Sequence, residues 1–208
     1  HTIATHATQC MNPRYHLNQG FVDYRVLDVP FNNNGTDTHI TGEKMTRLAL
    51  EQLAAIPTNR PFFAYLHYMD PHDEYVQHVE SPVFGKKARD RYDSEIFYVD
   101  KWVNELLTWC RAQPFFGKTA LIITGDHGEG FGEHGKNRHG YELWNELTHV
   151  PLLFVLPEVS PTRIDVARSH IDLAPTILEL MHVKPDPVLV GKSLVAELRG
   201  KQAPEPRP

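Results

Sequence analysis

The sequence predicts an α/β fold, a mostly parallel central sheet with helices on both faces, and three observations carry this. Short apolar runs that read as strands alternate with stretches whose apolar residues recur at helical spacing. The runs are apolar at consecutive positions, the pattern of strands covered on both faces. The clusters richest in histidine and carboxylate follow directly on two of those runs, where open parallel sheets bind their ligands.

Taken in order, residues 2–5 read as a short strand and Phe31-Asn-Asn-Asn-Gly35 as a turn. Met45, Leu48, Ala49, Leu53 and Ile56 put one apolar stripe on a helix that Pro57 stops. Residues 61–67, Pro-Phe-Phe-Ala-Tyr-Leu-His, form a strand that runs out into Asp70-Pro71-His72. Ile96, Val99, Val103, Leu106, Leu107 and Cys110 mark one side of a second helix. Residues 119–124 make a further strand, ending in Gly125-Asp126-His127-Gly128-Glu129. A glycine-rich loop, a short helix over 141–146, a strand over 150–156 and a helix from 173 to 181 with Asp172 as its N-cap follow. The expected organisation is one α/β domain over residues 1–200 and a flexible, Pro-rich tail over 201–208.

Composition narrows the function classes. With 41% apolar and 23% charged residues, the 208-residue chain has the make-up of a globular domain and not of a disordered segment or coiled coil. Its 21 Lys+Arg against 26 Asp+Glu leave a net charge of -5 and no basic surface for a phosphate backbone, so nucleic acid is not an expected partner. The apolar run at 150–156 is far shorter than the roughly 20 residues of a spanning helix, so no membrane span is expected. Cys10 and Cys110 make neither a CxxC metal pair nor a disulfide framework.

Three groups of residues can carry chemistry. Asp126 and His127, fixed at a strand end and followed by glycines, supply an oxygen and a nitrogen donor, half of a divalent-metal site; the same pair reads as a helix-capping turn. His67 and His72 flank the end of the other strand, where an imidazole donates to an anion or protonates a leaving oxygen; the bland reading is a pair of solvated side chains. His134, Lys136, Arg138 and His139 crowd a loop and suit a clamp on a tetrahedral oxyanion, or simply a solvated loop. HExxH, GxSxG, GxGxxG and the P-loop are absent from the sequence, which removes the usual support for zincin, α/β-hydrolase and nucleotide-binding readings.

These segments, in this order, resemble the sulfatases of the alkaline phosphatase-like superfamily: residues 61–72, residues 119–129, Gly132-Glu-His-Gly135, Thr148-His-Val-Pro-Leu-Leu-Phe154, Ile171-Asp-Leu-Ala-Pro-Thr-Ile-Leu178 and Gly191-Lys-Ser-Leu194. The match is specific over 61–198 and looser over 1–60. The resemblance implies a sulfuric ester hydrolase with a divalent cation, most often Ca2+ with Mn2+ or Zn2+ as alternatives, acting on a small sulfate ester or a sulfated sugar. It implies a periplasmic, extracellular or lysosomal protein. Carried over by position, Asp126 and His127 match two metal ligands, and His72 matches the histidine that contacts the sulfate ester and helps protonate the leaving alcohol. His139 falls near a basic substrate-binding position that Lys136 or Arg138 would otherwise fill, with His67 a further candidate for substrate binding.

The chain also departs from that family. The Asp pair that completes the metal site, and the Cys- or Ser-x-Pro-x-Arg signal whose first residue becomes formylglycine, do not occur in these 208 residues. Cys10-Met-Asn-Pro-Arg14 has Cys and Arg correctly spaced, but Asn12 stands where the signal has proline. The expectation is the C-terminal part of a sulfatase, a partial domain inactive by itself for want of a nucleophile. The rival readings are a phosphodiesterase or phosphonate monoester hydrolase of the same superfamily, and a non-catalytic fragment that keeps the fold.

Overall fold

The computed structural model describes residues 1–27, 41–57, 59–72, 74–140 and 142–203. The Phe31 to Gly35 turn, Tyr141 at the start of the expected 141–146 helix, and residues 204–208 of the expected tail lie outside them. The described chain forms two compact units, one of residues 1–116 with 129–147, the other of residues 117–128 with 148–208.

The first unit is built on three parallel strands. Strand β1 (Thr2–His6) lies between β2 (Asp23–Val26) and β3 (Phe63–His67), with Ile3 opposite Asp23 on one side and Ala64 on the other. Its Ile3, Ala4, Thr5 and His6 are wholly buried, as befits a central strand. Helices α1 (Gly42–Ala54) and α2 (Ala88–Arg111) share one core with the sheet: Ile3, Ala49, Leu53, Ile56, Leu106 and Cys110, with Ala64 and Leu66 of β3 packed against them. Gln52 is the polar exception on α1. Its carboxamide takes the Thr5 hydroxyl and donates to the Asp23 carbonyl at 3.1 Å, so one buried side chain ties α1 to both β1 and β2 with its own polar atoms satisfied.

The expected apolar side of α2 is turned. Tyr98, Trp102, Leu106 and Cys110, four residues apart, are buried together with Ser94 and Glu95, whereas Ile96 is 42% exposed. The aromatic rings outweigh the aliphatic side chains because they cover more apolar area, and the i+4 row they form carries the polar Ser94 and Glu95 inward with it.

The second unit holds β4 (Leu121–Thr124) and β5 (Leu152–Val155), which pair antiparallel with Leu121 opposite Val155. Among the described residues, parallel pairing is thus confined to β1, β2 and β3. Ile123, Leu153 and Val155 stay exposed, so β4 and β5 are not covered on both faces as their composition suggested. Helix α4 (Leu173–Leu180) follows a 3-10 turn at His170–Asp172; Asp172 gives it no side-chain cap but accepts the Lys192 N–H at 2.7 Å, and Thr176 Oγ1 accepts the Leu194 N–H at 2.9 Å. Those bonds and a close backbone approach at Gly191, where a Cβ would meet the Ile171 carbonyl at 1.9 Å, fasten α5 (Val195–Leu198) beside α4. The short helix α3 (Asn145–Thr148) begins later than the sequence pattern placed it. Among the described residues no helix is long and apolar enough to cross a membrane.

His6 gives the first unit a pH-dependent element. Its Nδ1 lies 3.1 Å from the Thr8 carbonyl and its Nε2 is sealed from water without a hydrogen-bond partner. Burial pushes its pKa below the usual 6.5; the Thr8 carbonyl pulls it partly back, and neighbouring His67 lowers it again. The unfolded chain therefore takes up a proton near pH 6.5 that the folded chain does not. Stability is intact above that pH and is lost as pH falls through it toward the depressed folded value. Melting temperature is expected to fall between about pH 7.5 and about pH 5, and less steeply in a His6→Gln variant. Equal slopes for the two proteins would exclude His6 as the origin.

Candidate active site

In the first unit, β3 delivers the residues that follow it. Beyond His67 the chain turns through Asp70, a cis peptide to Pro71, and His72. The Asp70 carboxylate accepts the Thr41 N–H at 3.1 Å and the Thr41 hydroxyl, which anchors the turn to the start of α1. The His72 ring meets the His139 ring edge-on, centroids 5.3 Å apart at 67°.

His139 returns to this position through a tight loop. Phe131 bridges Asn137, and the Arg138 N–H donates to the Gly130 carbonyl at 2.8 Å. Residue 130 must be glycine for that closure, since a Cβ would stand 2.9 Å from the Arg138 carbonyl oxygen. The loop sets His139 Nδ1 3.1 Å from Oε2 of Glu129, a carboxylate only 5% exposed. The other Glu129 oxygen accepts the Gly130 N–H at 3.0 Å, and Oε2 also takes the Tyr75 hydroxyl. Tyr75 is itself packed among Tyr92 and Phe131. A carboxylate accepts hydrogen bonds and cannot donate while ionised, so Glu129 orients the imidazole with Nδ1 as the donor and Nε2 directed away from it.

The other candidates of this unit are placed differently. Lys136 is exposed and 3.8 Å from Glu142. Arg138 takes a left-handed backbone, φ 72°, with its side chain on the exposed limb of the loop. His134 stacks on Trp144 at 3.9 Å and pairs with Glu146 at 3.1 Å. His67 stands opposite His6 in the strand register, its Nδ1 3.1 Å from the Tyr65 hydroxyl. Of the residues suggested for the anion, His139 is the one whose ring contact with His72 the fold builds.

The second unit holds the metal candidates. Asp126 and His127 follow β4 by two and three residues. Asp126 Oδ1 accepts the His127 N–H at 3.0 Å, and Oδ2 lies 3.9 Å from His127 Nε2. His127 Nδ1 lies 2.9 Å from the Gly128 carbonyl, which can only accept, so Nδ1 carries the proton and Nε2 the lone pair that a metal needs. Both side chains are well exposed, 66% for Asp126 and 41% for His127, so little desolvation opposes their joint use of one cation. Their donor set fits half of a divalent-cation site.

Comparison with solved structures shows that this fold recurs in known proteins. The phosphonate monoester hydrolase of Agrobacterium radiobacter has a similar fold, with TM-score 0.75 and 16% identity over 99% of this chain and 60% of that one. The sulfatase family model matches residues 2–183, and the chain belongs to the sulfatase family. It is 26% identical over 167 residues to Arylsulfatase K of Xenopus laevis, covering 78% of this chain and 31% of the relative. It is 32% identical over 111 residues to human Iduronate 2-sulfatase, covering 49% of this chain and 20% of the relative. The chain thus spans a third or less of the length of these two relatives.

Sequence reasoning missed Glu129 as the partner of His139, and Tyr75 as a partner of Glu129. Glu129 reads as one more polar residue in a glycine-rich loop, and nothing local announces that it is buried. It also missed a second buried group, Asp70, His78 and Glu95. Its one sequence signal is Glu95, a carboxylate that shares the i+4 face of α2 with large aromatic side chains.

Proposed function

We propose that the protein to which these residues belong hydrolyses sulfate esters, and that this chain supplies two parts of that machinery. His72 contacts the ester and protonates the departing alcohol oxygen, and His139, held by Glu129, binds the sulfate beside it through Nε2. Asp126 and His127 would hold a divalent cation, Ca2+ by family resemblance, which supplies positive charge to the reaction. The formylglycine nucleophile and the remaining cation ligands come from outside these 208 residues. A sulfated sugar is the preferred substrate class, in keeping with the name of the human relative, an iduronate sulfatase.

The observation that carries this reading is the contact of His72 with a second imidazole, His139, that is itself fixed by a buried carboxylate. Solvated loop histidines need no such support, whereas a proton-handling pair does.

The test compares hydrolysis of 4-nitrophenyl sulfate with that of a phenyl phosphonate monoester by the natural polypeptide that carries these residues. Faster turnover of the sulfate, abolished by chelator, is the expected result. Preference for the phosphonate would overturn the sulfatase reading in favour of a phosphonate monoester hydrolase. The 208 residues alone are expected to turn over neither ester.

A further inference from the structure

We propose that Asp70, His78 and Glu95 form a separate buried metal site that takes a divalent ion of the zinc class and braces the loop carrying His72. The three come from the turn after β3, the loop beyond it and helix α2, and each is at least nine-tenths buried. One donor atom from each lies within 4.8 Å of the other two.

Each ligand is already held in place by other groups. Thr41 donates through its backbone N–H and hydroxyl to Asp70; the Val76 backbone N–H donates to Glu95 Oε1 at 2.9 Å; the Ser94 hydroxyl accepts the backbone N–H of His78 at 2.9 Å. The His78 ring lies flat on Tyr98, centroids 3.9 Å apart and planes 8° from parallel. Outer hydrogen bonds of this kind fix ligand orientation in metal sites. Three side chains are thereby aimed at one point before any ion arrives.

The nitrogen of His78 supplies the observation that singles out a metal. Nε2 is 3.1 Å from Glu95 Oε2, an ion pair when the ring is protonated, and it is shut away from water without completing a hydrogen bond. A buried polar atom left so is costly unless something else satisfies it. Charge points the same way. Two buried carboxyl groups, those of Asp70 and Glu95, share the cluster with a single imidazole. One imidazole offsets at most one of them, and a divalent cation offsets both.

The donor set selects the ion. Two carboxylate oxygens and one imidazole nitrogen in a closed, dry setting match zinc, which takes such donors at about 2.0–2.2 Å. Calcium seeks about six to eight oxygen ligands, which this cleft does not offer. The inference does not rest on sulfatase activity, and its ligands share no residue with Asp126 and His127.

Zinc titration of the chelator-stripped 208-residue chain carrying Asp126→Ala and His127→Ala tests it, because that background removes the exposed donor pair. One zinc per chain and a rise in Tm with zinc concentration are expected. Adding His78→Gln or Glu95→Gln should weaken binding by more than the about 10–100-fold typical of losing an outer partner of a ligand. Absence of stoichiometric zinc in the background protein, or affinity unchanged by both added substitutions, overturns the site in favour of a purely hydrogen-bonded cluster. Should the added variants fail to fold, Co2+ in the folded background protein decides: strong visible four-coordinate bands support the site, and a weak six-coordinate spectrum overturns it.

Discussion

Replacing Arg168 by alanine is expected to destabilise the second unit by about 3–5 kcal/mol. The guanidinium forms a two-pronged pair with Glu197 of α5, Nε to Oε2 and Nη2 to Oε1, both at 2.9 Å. The side chains are 6% and 4% exposed. Removing the arginine leaves the buried Glu197 carboxylate without its two-pronged guanidinium partner, which costs far more than losing a surface ion pair. Urea unfolding followed by circular dichroism reads the loss, and pairing Arg168→Met with Glu197→Leu should recover most of it, since no orphaned charge remains. A cost for Arg168→Ala below about 1 kcal/mol, the range of exposed pairs, would show that water reaches the carboxylate.

His72→Ala, in the polypeptide that shows ester turnover, is expected to lower kcat by about 10²–10⁴-fold. That range is the usual contribution of one positioned proton donor. His139→Ala should fall in the same range without adding fully to it, because the two rings touch and, in the proposed reaction, act on one ester. Glu129→Gln keeps the shape of the support but loses its charge, and should cost less than removal of either ring. Steady-state kinetics separate the parts: a fall in kcat marks proton transfer, and a rise in KM alone would reassign His72 to substrate binding. A kcat within about threefold of the parent would remove it from the mechanism.

The strands and long helices were legible because their signals are local. Residues 61–67 and 119–124 announce themselves by composition, and Pro57 ends the first helix where the stripe of Met45, Ala49 and Leu53 runs out. Strand β2 was not legible: Asp23-Tyr-Arg-Val26 becomes a strand only because β1 lies beside it, and Asp23 and Arg25 pair at 2.9 Å along its edge. The side of α2 that faces inward was misjudged because Ile96 and Val99 look more apolar than Tyr98 and Trp102, while packing rewards the larger rings. Of the candidate site, His72, His139, Asp126 and His127 stood out by residue type and their position beyond strands. Glu129, Tyr75 and His78 did not, since what distinguishes them is burial and a partner distant in sequence, and neither is written in a residue's neighbours.

The placement of β1 between β2 and β3 sets a timetable for synthesis. β1 meets its second neighbour only after some sixty further residues have been made. At about 5–20 residues per second on the ribosome, that interval is about 3–12 seconds. Throughout it, one edge of the most deeply buried strand of the sheet offers unpaired N–H and C=O groups to any other extended chain. The nascent polypeptide is therefore most in need of a chaperone in the interval between the emergence of Ile3 and that of Ala64.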